Sequence, residues 1–362
     1  MSILNGQNGQ NGQNGQNGQN GQIFVTSTVS SGALAEALKS ARDGIVGTIE
    51  VKGGPPGAPS LTEGERLARM QGEYRDAVLL AELLEDLRFE TDQPPGAVTA
   101  ASARWMRREG ASDHALLAEF VPPSAEDFRK AIPLVGGYAD LRADRMTEIL
   151  VQTGDLIPFF ASILPLEADR CRKTMWLLSV ALDMATFTVM RVKLALGCPR
   201  PNQFSDQIQP IITCPAHAAF PSGHATQVFM LAGLLTLLAD PAADLSADSQ
   251  LFRMASRIAV NRTVAGVHYP ADSAAGSMLG VTLARYLAAR GQDAETAGGV
   301  QMDGTQWVQG DRPRDFHLGE FAHLMTGADA AAAFTPASPV RPAPLWAWVW
   351  SEARKEWGER WS

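Results

Sequence analysis

Apolar residues recur at helical spacing along most of this chain. From Leu67 they step by three and four through positions 70, 74, 77, 81 and 84 to Leu87, which is the period of one helical face. Similar patterns predict helices over residues 125–132, 138–153, 168–196, 224–239, 249–260 and 271–290. The alternation typical of a strand is visible only over residues 23–28. The pattern predicts a mostly helical protein.

The two ends of the chain differ from this middle part. Residues 5–22 are six Asn-Gly-Gln triplets, which cannot bury enough apolar area to offset the entropy of ordering, so residues 1–22 are expected to be a disordered tail. Residues 23–334 are expected to form one all-helical catalytic domain, and residues 335–362 a proline-rich connector and a last helix. In that helix four tryptophans form one stripe, which favours core or subunit packing: Trp346, Trp350, Trp357 and Trp361.

Composition and charge exclude several classes of function. The chain has 362 residues, with 31 Lys and Arg against 39 Asp and Glu and a net charge of −8, so it lacks the clustered cations that grip nucleic acid. No signal peptide is visible, and Asp183 interrupts the best candidate for a membrane span. Cytoplasmic residence without a membrane partner is the expectation. The three cysteines form no CxxC pair and favour free buried thiols.

The chemically informative residues lie between positions 193 and 272. Three of the six histidines are found there, among basic residues and a Pro-Ser-Gly-His segment. In order, the segments are Lys193-x6-Arg200-Pro201, then His217, then Pro221-Ser222-Gly223-His224, then Arg262-x5-His268-x3-Asp272.

These residue types suit an oxyanion. Ser222 can cap the helix that follows it, so that the free N–H groups of Gly223 and His224 point out of the helix start, where anions bind. If Lys193, Arg200 and Arg262 converge on that helix start, they concentrate a charge that only a multiply charged oxyanion balances.

Two histidines can divide the chemistry at such a site. His268 can bond the central atom through one ring nitrogen while the other nitrogen donates to Asp272, four residues further on. His224, on the opposite side of the anion, can pass a proton to or from an apical oxygen.

Taken together, the three segments resemble the signature of the superfamily that joins type 2 phosphatidic acid phosphatases, bacterial acid phosphatases and vanadium-dependent haloperoxidases. The resemblance extends over about residues 190–285. It implies an all-α fold, a helical bundle of the vanadium haloperoxidase and acid phosphatase type. It also implies that vanadate or phosphate is held by Lys193, Arg200, Ser222, Gly223, Arg262 and His268, with His268 as the vanadium ligand. Asn261 departs from the family pattern, which usually has Ser before the second Arg.

The resemblance leaves two reactions open. In a soluble acid phosphatase, which needs no cofactor, His268 attacks phosphorus to form a phosphohistidine and His224 protonates the leaving alkoxide. In a haloperoxidase, vanadate stays on His268 as a cofactor, and the partners are hydrogen peroxide, a halide and a small organic acceptor.

His217 favours the haloperoxidase, because vanadium bromoperoxidases resemble this chain in carrying a second histidine at that place. Met190 opposes it, since haloperoxidases often have Trp or Arg there. The expectation is a vanadate-dependent haloperoxidase that prefers bromide. The alternatives are the acid phosphatase and a catalytically silent oxyanion-binding protein. The resemblance also suggests a homodimer.

Overall fold

The computed structural model describes residues 31–47, 60–94, 97–106, 114–245, 248–292, 296–309 and 312–358. The Asn-Gly-Gln tail, the strand expected over residues 23–28 and Trp361 lie outside the described residues.

Helices dominate the described part of the chain, as the apolar pattern predicted. The α-helices are α1 Ser31–Ile45, α2 Glu63–Leu67, α3 Gly72–Leu84, α4 Ala125–Gly137, α5 Arg142–Val151, α6 Ile157–Ala161, α7 Arg172–Leu196, α8 Pro201–Phe204, α9 Gly223–Ala239, α10 Gln250–Val264, α11 Pro270–Gly291, α12 Leu318–Met325 and α13 Pro344–Gly358. Short 3-10 turns cover Tyr138–Leu141 and Gly304–Gln306. The helix expected from Leu67 to Leu87 is shorter in the structure. Helix α2 ends at Leu67, α3 covers Gly72–Leu84, and a strand begins at Leu87.

The all-α expectation is wrong in one respect, because the protein also contains β-structure. The strands are β1 Leu87–Thr91, β2 Ala101–Met106, β3 His114–Val121, β4 Thr296–Ala297, β5 Val300–Asp303, β6 Val308–Gln309, β7 Arg312–Pro313, β8 Ala332–Phe334 and β9 Ser338–Pro339. Five of them form one sheet in the order β1-β2-β3-β5-β8, in which only the β3–β5 pair is parallel.

The sequence of β3 explains why this sheet escaped prediction. The strand reads HALLAEFV, with apolar residues on both faces, because Leu117 and Phe120 are fully buried and Leu116 is half-buried. A short apolar run of this kind has no period of two and cannot be told from a buried helix by its pattern.

Two helices form the centre of the molecule, α9 and α11. They approach closely because Gly276 and Gly280 of α11 face the α9 backbone, where a Cβ at Gly276 would lie 2.5 Å from the carbonyl oxygen of Ser222. At their N-terminal ends, the Ser222 N–H donates to the carbonyl of Asp272 over 2.8 Å. The close contact therefore brings together the starts of the two helices that carry the predicted site.

The C-terminal tryptophan stripe packs in the core. Trp346 and Trp350 are at most 1% exposed, and the Trp346 indole N–H donates to the Leu287 carbonyl of α11 over 2.8 Å. Trp357 donates to the Thr174 hydroxyl of α7 over 3.1 Å. These contacts confirm the core-packing interpretation for the described tryptophans of the stripe.

Among the described residues, one helical stretch, Arg172–Phe204, is long and apolar enough to cross a membrane by length and composition alone. Two thirds of its most apolar window, 67%, is buried inside the protein. Asp183, near the middle of α7, is buried too, at 2% exposure. Burial of this extent is what a core helix shows.

The described chain also bears out the expectation for the cysteines. Cys171, Cys198 and Cys214 are thiols outside any disulfide, the first two buried and Cys214 half-buried.

Candidate active site

The predicted site residues all lie at helix ends or in the loops between helices. Two of the residues lie in the last turn of a helix, Lys193 in α7 and Arg262 in α10. Arg200 directly precedes α8, and Ser222 caps α9, which begins with Gly223 and His224. His268 precedes α11, and Asp272 is in the first turn of that helix. The structure brings these ends together on one side of the α9–α11 pair.

Lys193 is buried beneath the loop that leads to Ser222. Its ammonium donates to the carbonyl oxygens of Ala218 and Ala219 over 2.7 and 2.6 Å, and the residue is 1% exposed. Burial, and then the like charge of Arg200, hold the pKa of Lys193 well below its ordinary value. A bound anion would relieve both effects.

Arg200 joins the two histidine loops. Its Nη1 donates to the Val267 carbonyl over 2.7 Å and to His268 Nε2 over 3.1 Å. Its Nε donates to the His217 carbonyl over 3.1 Å, and its Nη2 lies 3.1 Å from His217 Nδ1. One guanidinium therefore holds the His217 loop against the His268 loop.

The proton positions on His268 follow from its partners. Nδ1 lies 2.7 Å from Asp272 Oδ2. Because a guanidinium can only donate, Nε2 accepts from Arg200, so Nδ1 carries the hydrogen and donates it to the carboxylate. Burial, followed by the charges of Arg200 and Lys193, keeps the pKa of His268 well below its usual value. The ring is therefore neutral, and its Nε2 lone pair can serve as a nucleophile or a ligand when Arg200 Nη1 turns from it to a bound anion.

Asp272 is fully buried at the base of this pair. Burial raises the pKa of its carboxyl group, while the Tyr269 N–H and the charges of Lys193 and Arg200 oppose the rise. The Tyr269 N–H donates to the same Oδ2 over 3.0 Å, whereas Oδ1 is buried without a partner. The carboxylate is thus held by one oxygen in the position that orients His268.

The start of α9 is open enough for a ligand to approach. The Ser222 hydroxyl accepts from the Ala225 N–H over 3.3 Å, as an N-cap does. A Cβ at Gly223 would meet nothing nearer than the Val189 side chain at 3.9 Å. Gly223 and His224 are both partly exposed.

Arg262 carries donors that the protein does not use. Its Nη2 donates to the carbonyl of Ile149 over 3.3 Å and to Gln152 Oε1 over 2.8 Å, whereas Nε and Nη1 are buried without a partner. Burial lowers its pKa to about 10. Leaving charged N–H groups buried without acceptors is costly, so these two nitrogens suit a bound anion.

His224 is oriented by a backbone carbonyl. Its Nε2 lies 3.1 Å from the carbonyl oxygen of Gln152, which can only accept, so Nε2 carries the hydrogen and Nδ1 has the lone pair. Burial, and next the charge of Arg262, lower the pKa of His224 to about 3. In the anion-free protein at neutral pH the ring is therefore neutral, and Nδ1 is unprotonated.

His217 lies at the exposed rim of the cluster. Burial of part of the ring, followed by the charges of Lys193 and Arg200, lowers its pKa to about 4. The contact with Arg200 shows that His217 lies beside the cluster, and its membership of the site and its part in a reaction stay predictions.

Gln152 is the residue that sequence reasoning missed. It follows α5, is 1% exposed and contacts both Arg262 and His224. Because it lies 110 residues before Arg262 and in no motif, only the packing of α5 on α10 reveals it. Asn261, the departure from the family pattern, donates to Gln152 Oε1 over 3.1 Å.

The donor set suits an oxyanion. Among the residues that the structure describes, no three His, Cys, Asp or Glu side chains are grouped as a cation site. The cluster instead combines three cationic side chains, a helix start and a neutral imidazole, which matches phosphate or vanadate.

Residues 174–294 match the family model described as the PAP2 superfamily, so the chain carries a PAP2-superfamily domain. This superfamily includes the vanadium haloperoxidases and the type 2 phosphatidic acid phosphatases, in agreement with the resemblance of the motifs. The matched stretch contains every site residue predicted from the sequence, and Gln152 precedes it. A comparison with curated proteins finds no match.

Proposed function

We propose that this chain is a vanadate-dependent haloperoxidase, which oxidises a halide, with bromide preferred, by means of hydrogen peroxide. The observation that carries this choice within the superfamily is His217, since a further imidazole lies at the rim of the anion site and shares Arg200 with His268. This third imidazole lies at the exposed side of the cluster, where a halide would arrive from solvent.

The residues fit vanadate. Lys193, Arg200 and Arg262 bring three formal positive charges against one negative charge on Asp272, which favours a multiply charged oxyanion. His268 Nε2 would be the ligand, with Ser222 and the Gly223 N–H at the helix start. When bound, vanadate would supply a Lewis-acidic centre that activates peroxide for oxygen transfer to the halide without a change in its own oxidation state.

The chain's own residues would bind, orient and move protons. Asp272 keeps the hydrogen of His268 on Nδ1, so that Nε2 stays available. The unused nitrogens of Arg262 neutralise oxyanion charge. His224 Nδ1 accepts a proton and returns it; a bound dianion beside the ring would raise its pKa from the low value of the free protein.

His217 would act at the entrance. Its ring is the exposed one of the three and lies beside the Arg200 guanidinium, with Nδ1 3.1 Å from Arg200 Nη2 and 3.2 Å from the Ala218 carbonyl oxygen. An exposed imidazole next to a guanidinium suits a halide that approaches from solvent. For this reason we assign His217 to halide binding rather than to vanadate. The organic acceptor would then meet the oxidised halogen at this rim.

A phosphatase is the second candidate, and the neutral His268 Nε2 supports it, because this lone pair is a competent nucleophile. In that reaction a bond forms from Nε2 to phosphorus and the bond from phosphorus to the alkoxide breaks. His224, which takes up a proton at Nδ1 once the bound dianion has raised its pKa, gives that proton to the alkoxide, and water then cleaves the phosphohistidine and returns a proton to His224.

The test is a paired assay on one preparation. Bromination of a β-diketone with peroxide and bromide is measured with and without orthovanadate, and hydrolysis of p-nitrophenyl phosphate is measured without it. We expect bromination only with vanadate, its loss in His268→Ala, and no change in the control His323→Ala, an exposed histidine outside the cluster.

Two other results are informative. Efficient phosphate-ester hydrolysis that vanadate inhibits would favour the phosphatase and refute the haloperoxidase. Tight vanadate binding with neither turnover would favour a silent oxyanion-binding protein.

A further inference from the structure

Gln152 forms hydrogen bonds with two residues of the candidate site, His224 and Arg262. Its backbone carbonyl accepts from His224 Nε2 over 3.1 Å, and its side-chain oxygen accepts from Arg262 Nη2 over 2.8 Å. The residue is 1% exposed and directly follows α5, where its own N–H closes the last turn on Glu148 over 2.9 Å. One residue thus fixes an acid–base histidine and an anion-binding arginine.

The orientation of the Gln152 amide is settled by its neighbours. Its Oε1 faces two donors, Arg262 Nη2 at 2.8 Å and Asn261 Nδ2 at 3.1 Å, so a flipped amide would set donors against donors. Asn261 is oriented in turn, because Arg145 donates to its Oδ1 over 3.0 Å and its Nδ2 also donates to Glu148. Gln152 Nε2 is therefore the end turned away from these partners.

Gln152 Nε2 is buried and has no hydrogen-bond acceptor. The same is true of two nitrogens of Arg262, Nε and Nη1. Three buried N–H-bearing atoms on two bonded side chains are left without partners. Each such donor costs free energy unless it meets an acceptor, and an oxyanion between Arg262 and His268 would offer several oxygens.

The neutrality of Gln152 also matters for the charge of the site. Glu148, the carboxylate of this network, is held by the Arg257 guanidinium through two hydrogen bonds. The partner of Arg262 is an uncharged amide, and among the described side chains no carboxylate forms an ion pair with Arg262 within 4.0 Å. The positive charge of Arg262 therefore remains available to a ligand.

We propose that Gln152 is a further oxyanion-binding residue: its carbonyl oxygens orient His224 and Arg262, and its amide nitrogen donates to the bound phosphate or vanadate. This role rests on the proposed oxyanion site and applies to either reaction of that site. Because Gln152 is uncharged, it orients Arg262 without neutralising the positive charge of the guanidinium.

Two substitutions separate the parts of this role. Gln152→Glu keeps an acceptor for Arg262 but removes the donor and adds a negative charge. Gln152→Met keeps the length of the side chain and removes both polar ends. Gln227→Met is the matched control, because Gln227 makes one side-chain hydrogen bond, to Thr186 on α7, outside the site.

The measurement is the affinity of each purified protein for orthovanadate and for inorganic phosphate by calorimetry, with thermal unfolding as the check on folding. We expect affinity to fall about tenfold in Gln152→Met, by the loss of one charge-assisted bond. In Gln152→Glu it should fall further, since a carboxylate then neutralises Arg262. The control should bind as the wild type does.

Kinetics give a second readout for the same variants. Under the proposed function, KM should rise more than kcat falls in Gln152→Met, because Arg262 loses its side-chain acceptor while His224 keeps the backbone carbonyl of residue 152. Wild-type anion affinity in Gln152→Glu would overturn the inference, as would equal losses in Gln152→Met and Gln227→Met.

The outcomes also separate this inference from the proposed function. Weaker anion binding by the Gln152 variants in a protein that does not brominate would keep the inference and reject the haloperoxidase. Vanadate-dependent bromination by the wild type, with unchanged anion affinity in both Gln152 variants, would support the haloperoxidase and reject the role of Gln152.

Discussion

Acid is expected to destabilise the anion-free protein through His224. Burial and the neighbouring charge of Arg262 lower the pKa of this residue to about 3 in the folded protein, against about 6.5 in an unfolded chain. A group with a lowered pKa binds fewer protons when folded. Its stabilising contribution is therefore present above pH 6.5 and is lost as the pH falls towards 3.

The size of the effect follows from these two values. Between pH 7 and pH 5 the unfolded histidine takes up roughly three quarters of a proton and the folded one almost none, which costs about 2 kcal/mol of unfolding free energy. Asp272 acts in the opposite direction over this range, because burial raises the pKa of its carboxyl group. The total pH dependence thus combines opposing terms, and only a comparison of variants isolates His224.

The assay is urea denaturation of wild type and His224→Gln at pH 7 and pH 5, in buffers without phosphate. The glutamine amide nitrogen reaches the place of Nε2, so it keeps a donor for the Gln152 carbonyl, but the side chain does not titrate. We expect the change in unfolding free energy between the two pH values to differ between the proteins by about 2 kcal/mol, with the wild type losing more. An identical change in both proteins would refute the burial of a neutral His224.

Three further predictions concern other parts of the structure. Asp272→Asn should lower kcat/KM about 10- to 100-fold, because the charge behind His268 is lost and the amide nitrogen takes the unpartnered position of Oδ1; unchanged kinetics would contradict this. Gly280→Ala should lower the unfolding free energy by about 1–3 kcal/mol, since a Cβ there meets the α9 backbone at Thr226, whereas the control Gly137→Ala has open space. His217→Ala should leave thermal stability unchanged because the ring is exposed, but should weaken bromide oxidation; full activity would remove His217 from the mechanism.

Much of the candidate site could be predicted from the sequence because its residues sit in three short motifs. Each motif spans a helix end, so local signals such as Ser222 before an apolar run and Pro270 at a first turn place the side chains. The approach of Arg200 to both His217 and His268 agrees with that prediction. Their roles in catalysis remain to be tested.

The fold was predictable where the apolar period was unambiguous. The long helices α7, α9 and α11 begin and end within a few residues of the predicted limits. The five-stranded sheet could not be predicted, because β1 continues the apolar pattern of α3 through Leu87 and β3 is apolar on both faces. Strand pairing between residues such as Ala118 and Val300 is a long-range contact that no local pattern contains.

The sequence by itself determined the helices, the motif order and the chemical class of the site, since each depends on neighbours within a few residues. Only the tertiary structure decided which nitrogen of His224 and of His268 carries the hydrogen, that Arg262 keeps unused donors, and that Gln152 contacts both Arg262 and His224. The physical reason is that these properties depend on groups brought together by packing. Hydrogen-bond partners and burial act over a few ångströms in space, whatever the separation along the chain.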